Sequence, residues 1–211
     1  MTTPAAQVPS LASARSSRLA VPPLVRAALI TLLLSGAIGA RWAATSAALA
    51  DGITVGAAFA GVLLVGVALA GWRPRTLPGR RFAVDGAIGL GGGATLVGLA
   101  LAIRWPGPWI PFDPAGSFVP WAAVTVLVAT AEELLLRGAL FDALDRAAGS
   151  AAALLVTSVL FAVLHVPLYG WHVVPLDLGV GIFLGGLRLL TGGTIAPAVA
   201  HVVADLATWW I

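Results

Sequence analysis

The chain contains no cysteine, and that single absence removes disulfides, thiolate metal ligands and a cysteine nucleophile. It contains no lysine either, so all 12 basic residues are arginine. Charged residues make up only 10% of the 211 residues, against about a quarter in an ordinary soluble domain. So little polar surface cannot cover a water-soluble body. With 59% of the residues hydrophobic, the bilayer must be the solvent for most of the chain. The formal charge of +3 is modest, and no arginine stripe with interleaved aromatics appears, so no nucleic-acid partner is expected.

What is present is a series of apolar runs punctuated by charge. The first runs from Ala27 to Ala40 between Arg26 and Arg41, and with its flanks covers 22–46. The second, Gly52–Trp72, is uninterrupted, and about 20 residues suffice to cross ~30 Å of hydrocarbon. A third span is expected over Gly86–Ile103, a fourth from Phe118 and a fifth over Ser150–Val166. A sixth is expected over Leu178–Leu190 and a seventh over Thr194–Ile211. Residues 104–117 hold four prolines and cannot form a regular helix; their Trp105, Trp109 and Phe112 suit a membrane–water interface, as do Trp209 and Trp210. Two prolines make 167–177 a loop or re-entrant piece, with His172 at the interface. The fold class expected is therefore all-α, a polytopic transmembrane bundle of about seven spans, six to eight. Residues 1–20 are expected to be a disordered cytoplasmic tail rather than a signal peptide, and 21–211 a single transmembrane domain. Arginines before span one and between spans two and three put both segments on the cytoplasmic side.

Several polar groups stand where a membrane makes them costly, at least ~2.5–3.5 kcal/mol each on insertion scales. They are Glu132, Glu133 and Arg137 in span four, His165 in span five, and His201 and Asp205 in span seven. Spans four and five form a hairpin that turns at Gly149. Glu132 and His165 lie at similar distances before and after that turn, ~24 Å at the helical rise. They therefore fall at one depth on adjacent antiparallel helices. His201 and Asp205, four residues apart, share a helix face. Glu133 and Arg137 have the favourable order for an intrahelical ion pair, which leaves Glu132 free for a site. Arg188 near the end of span six reads as a snorkelling anchor.

The blocks Glu132-Glu133-x-x-x-Arg137, Phe161-x-x-x-His165 and His201-x-x-x-Asp205 resemble the three motifs of the CPBP family. That family comprises the CAAX prenyl proteases and the bacterial Abi proteins linked to bacteriocin processing and self-immunity. Gly138 and Phe141 after Arg137, and the stretch LRLLTGGTIAPAVAH, fit the same pattern. The resemblance covers 118–208 and implies a membrane endopeptidase. In it Glu132 and His165 activate the attacking water, and His201 and Asp205 stabilise the oxyanion. Glu133 and Arg137 complete the implied set of catalytic residues. One departure stands out: the prenyl-protease pattern has Asn where this chain has Asp205. An amide donates a hydrogen bond to an oxyanion and an ionised carboxylate does not. Asp205 must then be protonated, orient His201 or bind a metal.

Family members are often classed as metalloproteases, and a metal-free glutamate mechanism has also been argued for them. Zinc held by Glu132, His165 and His201 would make a His₂-carboxylate site with a position open to water. No HExxH spacing supports it. No cofactor is expected for certain. The expected partners are membrane lipid and a membrane-anchored peptide or protein substrate, with the oligomeric state unread. Two other classes stand beside this one. A non-catalytic immunity or scaffold protein would share the fold. A proton-coupled transporter also carries intramembrane Glu, Arg and His, although no inverted repeat is visible. The side of substrate entry is open too: the sequence topology sets the site mid-membrane or outward, whereas prenyl proteases are expected to open to the cytosol.

Overall fold

The computed structural model describes residues 21–103 and 117–210. The tail expected over 1–20 lies outside the described residues, as do the interfacial Trp105, Trp109 and Phe112.

Every regular element among the described residues is helical. Helix α1 spans Pro23–Ser46 and begins with proline at its first position, where a missing N–H costs nothing. Helix α2, Gly52–Leu69, is capped by Asp51. Asp51 accepts the Thr54 N–H at 2.9 Å and the Thr54 hydroxyl at 2.7 Å, and these bonds hold its carboxyl below the usual carboxylate range. Helix α3, Gly79–Ile103, starts seven residues before the expected Gly86, because Arg80 and Arg81 are carried in its first turn. Helix α4, Phe118–Ala148, is continuous over 31 residues. It ends at Gly149, whose φ of +84° breaks the helix as the sequence implied. Helix α5 is Ser150–Tyr169, α6 is Val174–Thr191 and α7 is Ile195–Ala207.

The expected loop over 167–177 is a correction. Pro167 sits inside α5, and Pro175 falls in the first turn of α6, where proline is tolerated. Only Gly170 and a short 3₁₀ turn, Trp171–Val173, separate the two helices. Six helices are long and apolar enough to cross a membrane, the sixth counted with that turn as Trp171–Thr191. The seventh is shorter than expected: α7 has 13 residues, about 20 Å at the helical rise, which falls short of the ~30 Å hydrocarbon thickness. Large apolar side chains such as Leu32, Leu69, Leu90, Val119, Leu155 and Leu190 face outward, as lipid contact requires. The protein is a multi-pass membrane protein.

The core forms around α4, where Leu135, Leu136 and Leu140 meet Phe59 and Leu63 of α2, Phe161 and Leu164 of α5, and Leu184 of α6. The short α7 is held against α3 by small residues. A Cβ at Gly93 would stand 2.5 Å from Val203 Cβ, and one at Gly89 would stand 2.7 Å from the Ala196 carbonyl oxygen. Close approach through glycine is how helices associate where no hydrophobic drive acts between them. It carries α7 into the bundle and sets the depth of His201.

Gly93→Val should therefore overpack this seam and cost about 1–3 kcal/mol. Thermal unfolding in detergent should show a lowered midpoint, whereas Gly91→Ala, with open space around its Cβ position, should leave it unchanged. An unchanged midpoint for Gly93→Val would mean that α3 does not seat α7.

Candidate active site

The site grows out of an irregularity in α4. Residues Phe118–Glu133 are α-helical, Leu134–Leu140 are π-helical, and Phe141–Ala148 are α-helical again. Across the wide turns the Phe141 N–H bonds to the Leu136 carbonyl rather than to that of Arg137. The Arg137 carbonyl instead accepts Arg188 Nε–H at 2.8 Å. Such π-segments cost helix regularity and occur most often at functional positions.

Arg137 and Glu133 are both fully buried, with Nη1 2.8 Å from Glu133 Oε1. Arg137 Nη2 also donates to the Gly181 carbonyl at 3.1 Å, and its guanidinium stacks 4.6 Å from the centre of the Phe161 ring. The expected ion pair is thus present, and it is shared: Glu133 Oε1 also meets His201 Nδ1 at 3.0 Å. Glu132, one residue earlier, is buried without that partner. Its Oε2 lies 4.0 Å from His201 Nε2. Asp205 Oδ2 stands 3.4 Å from the same nitrogen. His201 thus has a carboxylate on each side of its ring.

His165 reaches the cluster through Phe161, whose ring packs edge-on against both imidazoles, at 4.9 Å from His165 and 5.2 Å from His201. Its Nδ1 lies 3.0 Å from the Phe161 carbonyl, so with that atom protonated its Nε2 carries the free lone pair. The same Nδ1 is 3.4 Å from Asp177 Oδ2. Glu132, Glu133, Arg137, His201 and Asp205 are therefore brought together by direct contact, and His165 stands beside them across one aromatic ring. Among the described residues no group of three His, Asp or Glu side chains stands as a metal-holding set.

Sequence reasoning missed Asp177 because it fell in a supposed loop. The signal that could have found it is Pro175 followed by an acidic residue, the pattern of a helix start. It also misread Arg188. This side chain does not snorkel: it is nearly buried, bonds the Arg137 carbonyl, and pairs with Asp142 Oδ1 at 2.7 Å. Trp72 Nε1 donates to the other oxygen of Asp142 at 2.8 Å, and its ring fills the space left by Gly138. These contacts fix the end of α4 to α6 and to the chain after α2. At the other end of the bundle the Trp209 ring meets Phe118 edge-on and Trp121 at a tilt, at 5.2 and 4.8 Å.

Residues 114–207 match the family model described as type II CAAX prenyl endopeptidase Rce1-like, somewhat less than half of the chain. No curated protein and no solved structure matches. The matched stretch begins just before α4, ends with α7 and holds every residue of the cluster. Over this stretch the chain is similar to the CAAX prenyl endopeptidases, a family of intramembrane proteases.

Arg137→Ala should strand the Glu133 charge and destabilise the fold by about 3–5 kcal/mol. Arg188→Ala should cost less, about 1–3 kcal/mol, because it frees one carbonyl and leaves a partly exposed carboxylate that still accepts from Trp72. Melting curves in detergent rank the two, and equal or reversed losses would contradict the place given to the Glu133–Arg137 pair.

Proposed function

We propose that this protein is an intramembrane endopeptidase that hydrolyses a peptide bond in a membrane-associated protein or peptide, with Glu132 as general base. The observation that carries the reading is the pairing of roles in the two adjacent glutamates. Glu133 is taken up by Arg137 and His201, while Glu132, equally buried, has among the described residues a single ion contact, the 4.0 Å approach to His201 Nε2. A gap of that length suits an intervening water better than a direct bond.

In the proposed reaction Glu132 takes a proton from that water as its oxygen attacks the carbonyl carbon. The carbonyl π electrons move to oxygen, giving a tetrahedral oxyanion. His201, with Nδ1–H donated to Glu133, can donate from Nε2 only as an imidazolium, whose charge Glu133 and Asp205 offset. It then stabilises the oxyanion. The proton held by Glu132 passes to the leaving nitrogen as the C–N bond breaks, which leaves a carboxylic acid and an amine, and the acid's proton then passes to the amine to give a carboxylate and an ammonium. In this scheme Asp205 is a partner of His201 rather than an oxyanion donor, which accommodates the departure from Asn. His165 orients the water through Nε2. Asp177 is a positioning residue that, with the Phe161 carbonyl, keeps the His165 proton on Nδ1.

The substrate class is a membrane-anchored protein or peptide. The similarity to CAAX prenyl endopeptidases makes a prenylated peptide the first probe. A non-catalytic immunity or scaffold role on the same fold is the competing reading. A proton-coupled transporter is less favoured, because the polar groups are clustered within one C-terminal stretch.

Cleavage of a fluorogenic membrane-anchored peptide by purified protein tests the assignment. Glu132→Gln should fall by about 10²–10⁴-fold with a melting midpoint near wild type, and His201→Ala by about 10²–10³-fold with the protein still folded but its midpoint lowered by the lost contact to Glu133. Asp177→Asn should lower kcat by about tenfold, the worth of one hydrogen bond of ~1–1.5 kcal/mol, and leave KM alone. A phenanthroline arm belongs in the same assay. Activity is expected to survive it, and loss restored by zinc would replace the metal-free scheme. Wild-type rates for Glu132→Gln would remove Glu132 as the base.

A further inference from the structure

The two ends of the bundle differ in charge, and the cluster is open toward only one of them. At one end, Arg75 Nη1 donates to the Gly192 carbonyl and Arg81 Nη2 to the Thr191 carbonyl, at 3.1 and 2.9 Å. Arg75 also borders a cavity of about 330 Å³ with Asp145, Arg146 and Ser150. The chain after α2, the α4–α5 turn and the α6–α7 turn therefore share this end. The start of α1 does too. Arg41 lies over the Phe59 ring at 4.7 Å, and a Cβ at Gly66 would meet Leu33 at 2.8 Å. That antiparallel register carries Arg26 to the level of Arg73.

Arg26, Arg73, Arg75, Arg80, Arg81 and Arg146 all lie at this end, and Arg15 and Arg18 precede it in sequence. At the opposite end the described connections, 47–51 and 170–173, contain no arginine. Arginine bias over short loops sets membrane orientation, so the arginine end is cytoplasmic.

The cluster opens away from it. Side-chain exposure is 0% at Glu133, 2% at Glu132 and 4% at His201. It rises to 18% at both His165 and Asp177, and to 42% at Asp205. The three more exposed residues each stand within about one turn of the arginine-poor end of their helix: His165 before Tyr169, Asp177 after Val174, Asp205 before Ala207. Arg137, Phe161 and the leucines of α4 close the site on the cytoplasmic side.

We propose that the site is served from the extracytoplasmic face, so that its substrate is a peptide segment lying at the outer surface of the membrane. What enters rests on the endopeptidase reading; where the mouth lies does not. A protein anchored in the membrane and exposing its cleavage segment outside fits this mouth. A cytosolic C-terminal tail does not.

The cysteine-free chain makes the test direct. Single variants Leu49→Cys, Thr76→Cys, Thr208→Cys and Asp205→Cys are exposed in intact spheroplasts to a membrane-impermeant maleimide, then again after permeabilisation. Leu49 and Thr76 lie in exposed connections at opposite ends, and Thr208 just follows α7. Leu49→Cys, Thr208→Cys and Asp205→Cys should label in intact spheroplasts, and Thr76→Cys only after permeabilisation. Asp177→Cys substitutes for Asp205→Cys if the latter does not accumulate. Labelling of Thr76→Cys from outside would overturn the orientation. Labelling of Leu49→Cys from outside with the mouth variant reactive only after permeabilisation, or not at all, would overturn the outward mouth. Labelling needs no catalysis, so a protein that labels as expected and cleaves nothing would sink only the protease reading.

Discussion

The pairing of Glu133 with Arg137 inside the bundle is the constraint from which the rest of the structure follows. Neither charge can remain alone in a medium without water, so each must find partners nearby. Arg137 uses Glu133, the Gly181 carbonyl and the Phe161 ring, and so ties α4 to α6 and α5. Glu133 Oε1 also takes His201 Nδ1 and so ties α4 to α7. One ion pair therefore fixes four helices around one point. Among the described residues, Glu133 Oε2 and Arg137 Nε have no hydrogen-bond partner. Buried polar atoms of that kind ask for water, which is what a hydrolytic site also needs.

Depth is set by a second constraint, the shortness of α7. A full span would have carried His201 and Asp205 past the carboxylates of α4 or sealed them beneath apolar turns. Thirteen residues, packed through Gly89 and Gly93 of α3, end soon after Asp205 and leave that carboxylate half exposed. The cluster is thus buried at its glutamates and more exposed at its aspartates.

Much of this was legible in the sequence, and for identifiable reasons. Span boundaries follow from long apolar runs, and the α4–α5 hairpin from Gly149. The intrahelical ion pair follows from the spacing of Glu133 and Arg137, and the meeting of α4 with α7 from the cost of charges in hydrocarbon. The illegible parts depend on tertiary contacts. The π-segment at 134–140 leaves no pattern in LLLRGAL; it exists because Arg188 and Trp72 hold the far end of α4. Pro167 and Pro175 read as a loop because a local rule for proline does not reveal whether a helix is ending or beginning. Asp177 was hidden with them. Arg188 was read as an anchor because its partners, a freed carbonyl and Asp142, are more than forty positions away in sequence.

The central claim is that Glu132 and His201 act on one water and one oxyanion as a unit. The most direct measurement is a double-mutant cycle in kcat/KM on a membrane-anchored peptide, with Glu132→Gln, His201→Ala and the two combined. Groups that act as a unit lose most of their effect with the first substitution. The account predicts that the double variant is hardly slower than the slower single variant, with all three proteins folded. Losses that multiply across the cycle would mean that the two residues contribute independently, and would contradict a shared site.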